Sequence, residues 1–208
     1  RGLGDVYKRQ VHWCFDLYPE AAVCDGMLKP GLALSALQSI MRAAYKRLDL
    51  IANIGDCMRD RLAAYASPAQ STILPPWALA EPASPLPIDL LERTAIFGSA
   101  RLALMYSGNF GRAHSHSELL AIAREVTDSG IKIAFSIRGN RAQELRNAVS
   151  PDDRNISFVP FASVDRLEAR LSAPDIHVVS LRSEWTGTVV PSKFFGALAA
   201  GRPVLFIG

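Results

Sequence analysis

From residue 102 onward, short apolar runs alternate with stretches of helical periodicity, and this alternation constrains the fold more than any other feature. Residues 102–107, 131–137, 156–159, 176–181 and 203–207 read as strands. The run 131–137, IKIAFSI, is nearly continuous in apolar residues, as expected of a strand covered on both faces. Between the strands the spacing predicts helices near 117–126, 143–149, 164–171 and 191–200. The first carries Leu119, Leu120, Ile122, Ala123 and Val126 inward. Five strands joined by four helices make an α/β domain with a doubly wound parallel sheet.

A shorter series precedes it. Residues 11–17, 50–54 and 71–74 read as strands. Leu34, Leu37, Met41, Ala44, Tyr45 and Leu48 fall at steps of three and four, which predicts an amphipathic helix. Asp56 reads as the N-cap of a helix to about Ala66. Prolines then crowd the stretch from Pro75 to Pro87 and periodicity is lost. We read 81–100 as a linker between one domain over 11–80 and another over 101–208; the other reading is a long surface loop within one domain.

Composition narrows the class. A chain of 208 residues with 49% hydrophobic residues suits one large globular domain or two smaller ones. No window reaches the roughly 18 uninterrupted apolar residues of a membrane span. Cys14, Cys24 and Cys57 are an odd number without a CxxC pair, which argues against a disulfide framework or a zinc site and for a reducing compartment. The formal charge is +3, but the opening RGLGDVYKRQ contributes much of it; without those ten residues 20 basic side chains face 19 acidic ones. Bulk charge therefore gives no reason to expect a nucleic-acid partner. The decapeptide has no Met start and no apolar core of a signal peptide, and residues 1–10 read as a non-native leader. The chain also stops directly after its last strand, so we expect a fragment truncated at both ends.

Three segments carry candidate chemistry. Tyr106-Ser107-Gly108-Asn109-Phe110-Gly111-Arg112 lies between a strand and a helix, and Ser115 with Glu118 fits a capping box at the helix start. Glycines there let backbone N–H groups approach a phosphate, and Arg112 would add a charged contact. An ordinary tight turn fits the GxxG spacing equally well. The second segment, from Glu184 through Gly187, Thr188 and Val190 to Pro191-Ser192-Lys193, follows a strand on the carboxyl side of the sheet. Pro191 suits the first helical position and Val190 is a poor N-cap, so the helix start would welcome a phosphate, with Lys193 adding charge and Ser192 a hydroxyl. A solvated helix start with an exposed lysine is the plainer alternative. The third is Asp16-Leu17-Tyr18-Pro19-Glu20, whose two carboxylates suit acid–base or acceptor-binding work, or simply a turn at a strand end. His12, His114, His116 and His177 lack metal-ligand spacing, and a helix would point His114 and His116 apart. Arg138-Gly139-Asn140 ends a strand and is a further ligand-loop candidate.

Together, GNFGRAH at 108–114, RGN at 138–140, FVPF at 158–161 and GTVVPSKFFGALAAGRPVLFIG at 187–208 resemble the nucleotide-sugar-binding domain of GT-B glycosyltransferases. The similarity is greatest to the family 4 enzymes of bacterial polysaccharide and O-antigen assembly that carry a Pro-Ser-Lys signature. DLYPE at 16–20 and residues 50–77 resemble the last part of that family's acceptor-binding domain. The resemblance implies a GT-B fold of two Rossmann-like doubly wound domains, both incomplete over this stretch. It implies retaining transfer of a sugar from a nucleoside-diphosphate sugar to a lipid-linked or glycan acceptor. It places the donor diphosphate on Gly108, Asn109, Gly111, Arg112, Ser192 and Lys193, the base near Arg138, Val159, Pro160 and Phe161, and the sugar near Gly187 and Thr188. Asp16 and Glu20 fall on the acceptor side, with Asp16 and Glu184 the candidate catalytic carboxylates. No cofactor or metal is expected. The expected setting is cytoplasmic, with peripheral contact at the inner face of the membrane through the part preceding this chain.

The sequence also departs from the family pattern. Many family 4 enzymes carry two glutamates eight residues apart, and registering on Ala200-Gly201-Arg202-Pro203 puts Thr188 and Gly196 at those places, with Glu184 outside the register. Phe15 stands where a histidine often precedes the aspartate. An epimerase acting on a UDP-sugar at position 2, or a donor-binding scaffold without transfer, would keep the same donor site. A nicotinamide oxidoreductase is disfavoured, because the turn at Gly108 lacks a third glycine and Arg138 stands where an acidic residue would end the next strand.

Overall fold

The computed structural model describes residues 8–66 and 70–208; most of the leader assigned to 1–10 lies outside the described residues. The chain divides into two compact units. One comprises the residues up to Pro76 together with Ser183–Val190, and the other comprises Trp77–Arg182 together with Pro191–Gly208.

The second unit is built on strands β4 (Leu102–Asn109), β5 (Ile131–Arg138), β6 (Ile156–Phe158), β7 (Ile176–Ser180) and β8 (Val204–Ile207). They pair in parallel in the order β6-β5-β4-β7-β8, so the chain winds one way from β4 to β6 and then returns to the far side of β4. The winding direction reverses between β4 and β7, and ligands of such sheets bind at the carboxyl ends of the strands at that reversal. Side chains alternate across the sheet. Leu104 and Tyr106 pack with Ile133, Phe135 and Ile137 against α5 (His116–Glu125) and α6 (Ala142–Ala148). Ala103, Met105 and Ala134 form the opposite cluster with Phe97 and Ala173. Two-sided burial is why these strands read as unbroken apolar runs.

Phe97 belongs to α4 (Leu90–Phe97), and this corrects the reading of 81–100 as a linker. Periodicity is lost only as far as the last prolines; Asp89 then accepts a bond from the Glu92 amide and starts a helix, which ends at Gly98 with φ +59°. Further along, a 3₁₀ turn at Val164–Arg166 leads into α7 (Leu167–Ser172), where one longer helix was expected. The last helix, α8 (Lys193–Ala199), is shorter than predicted. Ser192 is its N-cap, so Pro191 stands outside the helix rather than at its first position. Ser115 does cap α5, but its hydroxyl pairs with Ser117 at 2.7 Å instead of a backbone amide, so the expected capping box is not made.

The first unit holds a three-stranded parallel sheet in sequential order, β1 (Val11–Trp13), β2 (Leu50–Asn53) and β3 (Ser71–Ile73). This sheet does not reverse its winding. Its core gathers Cys14, Leu17, Tyr45, Ile51, Met58, Leu62 and Tyr65. Tyr45 comes from α2 (Leu32–Tyr45), whose apolar stripe is only partly covered: Leu37 and Ile40 are exposed. Gly55, not Asp56, is the N-cap of α3 (Asp56–Leu62), and Asp56 instead pairs with Arg59 one turn on. A short helix α1 (Glu20–Cys24), absent from the sequence reading, follows the Tyr18-Pro19 cis peptide. Among the described residues, no helix is long and apolar enough to cross a membrane.

Candidate functional site

The pairing of β4 with β5 continues through Ser107, Gly108 and Asn109, so the glycine turn begins inside the ladder rather than after it. Gly108 has φ +142°, and a Cβ there would lie 2.9 Å from Cε of Lys193. The positive φ favours glycine here, and any side chain would crowd the lysine. Gly111 differs: a Cβ would meet only Asn140 Oδ1, at an ordinary 3.6 Å. The GNFG and RGN turns interlock. Phe110 N donates to Arg138 O at 2.6 Å, Arg141 N donates to Phe110 O at 3.2 Å, and a Cβ on Gly139 would sit 2.7 Å from Phe110 O.

Lys193, the first residue of α8, reaches across the end of β4. Its Nζ lies 3.4 Å from Asn109 O, 3.2 Å from His114 Nε2 and 4.8 Å from the centre of the Tyr106 ring. Burial pushes its pKa down to about 8. His114 is buried behind it, with Nδ1 2.7 Å from Ser180 O at the end of β7. That carbonyl can only accept, so Nδ1 carries the hydrogen and Nε2 presents its lone pair to Lys193. Burial, and then the Lys193 charge, push the His114 pKa down to about 4, which keeps the ring neutral at neutral pH. Phe110 stacks on the imidazole and Tyr106 meets it edge-on. The same turn is tied to the chain after β7, where Arg182 N donates to Ala113 O at 2.9 Å.

The sequence-predicted residues Gly108, Asn109 and Lys193 therefore come together where the winding reverses. Arg112 and Ser192 are exposed nearby in the chain, Arg112 in the glycine turn and Ser192 beside Lys193. The helix α8 has only seven residues, and Lys193 puts a positive charge at its start. Arg138 at the end of β5 lies over the Phe161 ring at 4.7 Å. The loop carrying Val159, Pro160 and Phe161 is pinned through Pro160 O, which accepts from Ser136 Oγ at 3.0 Å and Arg170 Nη1 at 2.7 Å. The sequence reading weighed His114 only as a metal ligand and gave it no part in the donor site. The helix starts at His116, and His114 lies in the turn three residues after Gly111.

Glu184, Gly187 and Thr188 belong to the first unit. Thr188 is fully buried; its hydroxyl donates to Trp185 O at 2.6 Å and its carbonyl accepts from Leu17 N at 2.8 Å. Gly187 has φ +76°, and a Cβ would lie 2.6 Å from Cys57 O. Glu184 sits in a 3₁₀ turn, its carbonyl accepting from Cys24 Sγ at 3.0 Å. These contacts hold the segment in place. Glu20 accepts from the Tyr65 hydroxyl and from Gln38 Nε2, which fixes it against its own unit. Asp16 has its pKa raised by partial desolvation. Among the described residues no group of three His, Cys, Asp or Glu side chains gathers as metal ligands would.

Two curated relatives match the sequence. The colanic acid biosynthesis glycosyl transferase WcaI, as it is named in Escherichia coli strain K12, is 24% identical over 181 residues, 85% of this chain and 44% of its own. The Pseudomonas aeruginosa protein WbjE, described as a glycosyltransferase, is 24% identical over 217 residues, 99% of this chain and 52% of its own. The chain thus spans about half the length of the curated relatives it matches. No family model matches the sequence. Among solved structures, Anabaena HepE in complex with UDP and glucose superposes with a TM-score of 0.67 at 11% identity, covering 98% of this chain and 54% of that one. The pneumococcal O-GlcNAc transferase GtfA, in complex with UDP and GlcNAc, gives 0.59 at 11% identity, covering 95% and 37%. The sequence thus resembles two bacterial glycosyltransferases over about half of their length, and the fold resembles that of two solved proteins in complex with UDP and a sugar.

Proposed function

We propose that the protein transfers a sugar from a nucleoside-diphosphate sugar to a lipid-linked or glycan acceptor during polysaccharide assembly, with retention at the anomeric carbon. The single observation carrying this reading is the Lys193 ammonium, half-buried at the carboxyl end of β4 beside Asn109 O. As the anomeric bond breaks, negative charge grows on the leaving diphosphate, and a fixed cation in a poorly solvated place stabilises that charge more than water would. Lys193 is such a cation. Arg112 would add a second from the glycine turn, Asn109 and Gly111 would line the phosphates, and Ser192 would offer a hydroxyl. The base would lie against Phe161 and Arg138, on a loop held by Ser136 and Arg170.

Asp16 and Glu20 are assigned to acceptor handling, and the sequential three-stranded sheet to a second Rossmann-like domain. The sugar assignments to Gly187 and Thr188 reduce to backbone groups at most, since the Thr188 hydroxyl is already committed to Trp185 O. A lipid-linked acceptor would bring the protein to the inner face of the membrane from the cytoplasm.

Incubation of the intact protein with radiolabelled UDP- and GDP-sugars and a lipid-linked acceptor tests the proposal. Label on the acceptor is the expected result, whereas an interconverted sugar would make the protein an epimerase. Lys193→Ala should weaken nucleotide binding about ten- to a hundredfold, the loss of one charge-assisted contact of roughly 1.5–3 kcal/mol.

A further inference from the structure

We propose that His114 is a positioning residue for the donor diphosphate, a neutral imidazole that aims the Lys193 ammonium by accepting one of its hydrogens. The inference rests on the reading of Lys193 as the diphosphate cation, and adds a residue and a tautomer to it.

The geometry makes the assignment. An ammonium has three N–H bonds and a free lysine end rotates among them. Here Asn109 O and His114 Nε2 lie 3.4 and 3.2 Å from Nζ, and the Tyr106 ring sits beneath it at 4.8 Å. Two directional acceptors fix where the remaining N–H points. His114 can serve as one of them only while Nε2 is bare, and the 2.7 Å bond from Nδ1 to Ser180 O keeps it so. Ser180 ends β7 and Asn109 ends β4, so the imidazole links the two strands on either side of the reversal. Protonated, the ring would face Lys193 with a like charge and no lone pair. The burial that keeps Lys193 half-desolvated disfavours that state.

Other titratable and charged groups come from the elements around the pair. β4 contributes Tyr106, whose hydroxyl is pushed upward by burial. The glycine turn contributes Arg112, the chain after β7 contributes Arg182, and α5 contributes His116 and Glu118, the latter held below the usual carboxylate range by hydrogen bonds that start with Ser115. Lys193 is the group whose titration bears on an anion at moderately alkaline pH, near 8.

Two substitutions separate positioning from packing. His114→Gln can donate to Ser180 O and accept from Lys193, but does not titrate. His114→Leu fills similar space and accepts nothing. UDP binding to the intact protein is measured from pH 6 to 10 by calorimetry, with melting temperatures alongside. We expect His114→Leu to bind UDP about tenfold more weakly at neutral pH, the worth of one such contact. Its alkaline loss of affinity should begin at lower pH than in the wild type, because the ammonium has lost an acceptor. His114→Gln should restore both the affinity and the alkaline midpoint. Equal affinity and an equal midpoint in His114→Leu and the wild type would overturn the inference. So would equal loss in both variants together with lowered melting temperatures, which would make His114 a packing residue. If Lys193→Ala also leaves UDP binding unchanged, the diphosphate reading itself fails; if Lys193→Ala loses binding while His114→Leu does not, that reading stands and only the role of His114 falls.

Discussion

Lys193 is drawn in opposite directions by burial and by the anion it would meet, and pH makes the conflict measurable. Burial lowers its pKa from 10.5 to about 8 in the folded protein. Between those values the unfolded chain keeps a proton that the folded one releases, so the stability of the ligand-free protein should rise with pH across that window. Nucleotide affinity should fall over the same window, because the binding form is the ammonium. Thermal melts with and without UDP at pH 7.5, 8.5 and 9.5 check both trends; parallel changes would contradict the assignment. His114 gives the acid counterpart. Its folded pKa is depressed from 6.5 to about 4, so stability present above 6.5 should decline as pH falls toward 4, and His114→Gln should flatten part of that decline. His177, buried and bonded to Leu171 O, acts in the same direction and remains in both proteins, so their difference isolates His114. Gly108→Ala should strain a φ of +142° by about 1–3 kcal/mol and push the lysine aside, lowering melting temperature and UDP affinity together.

At the scale of elements, α4 shows what the sequence concealed and why. Its proline-rich approach masks it, yet Asp89, Glu92 and Gly98 are start and stop signals, read only once the helix is known. Glu92 does further work. Burial alone would raise its carboxyl pKa, but hydrogen bonds from Arg170 and Arg166 outweigh that and hold it low. Arg170 in turn donates to Pro160 O, so α4 is coupled through α7 to the loop bearing Phe161. Glu92→Gln should destabilise by about 2 kcal/mol, below the full range for a buried pair because both partners keep some solvent. It should also loosen nucleotide binding, and chemical denaturation with UDP titration would show both. The strands of the second unit were legible because burial on both faces leaves a period-free apolar signature. The glycine turn and Lys193 were legible because turn chemistry and charge are local. His114 was not, since its role depends on Ser180, brought to it by strand order. The contacts of Thr188 were hidden for the same reason: in sequence it stands near Lys193, but it bonds with Trp185 and Leu17.

At the scale of the whole molecule, the first unit is discontinuous: the chain leaves it at Pro76 and supplies a further segment at Ser183–Val190. Leu79, 98% exposed in the proline-rich run, invites chymotryptic cleavage there or at the neighbouring Trp77. The two pieces should nonetheless elute together under native conditions, because the downstream piece carries the Thr188 carbonyl that Leu17 binds and the Gly187 turn that seats on Cys57. Separation without denaturant would show that the inserted segment adds little. The same discontinuity sets an order of birth. Domains generally fold in the order they leave the ribosome, but here the first unit must wait, its core open beside Leu17 and Cys57, until the strands β4 to β7 have been synthesised and Ser183–Val190 has followed them out.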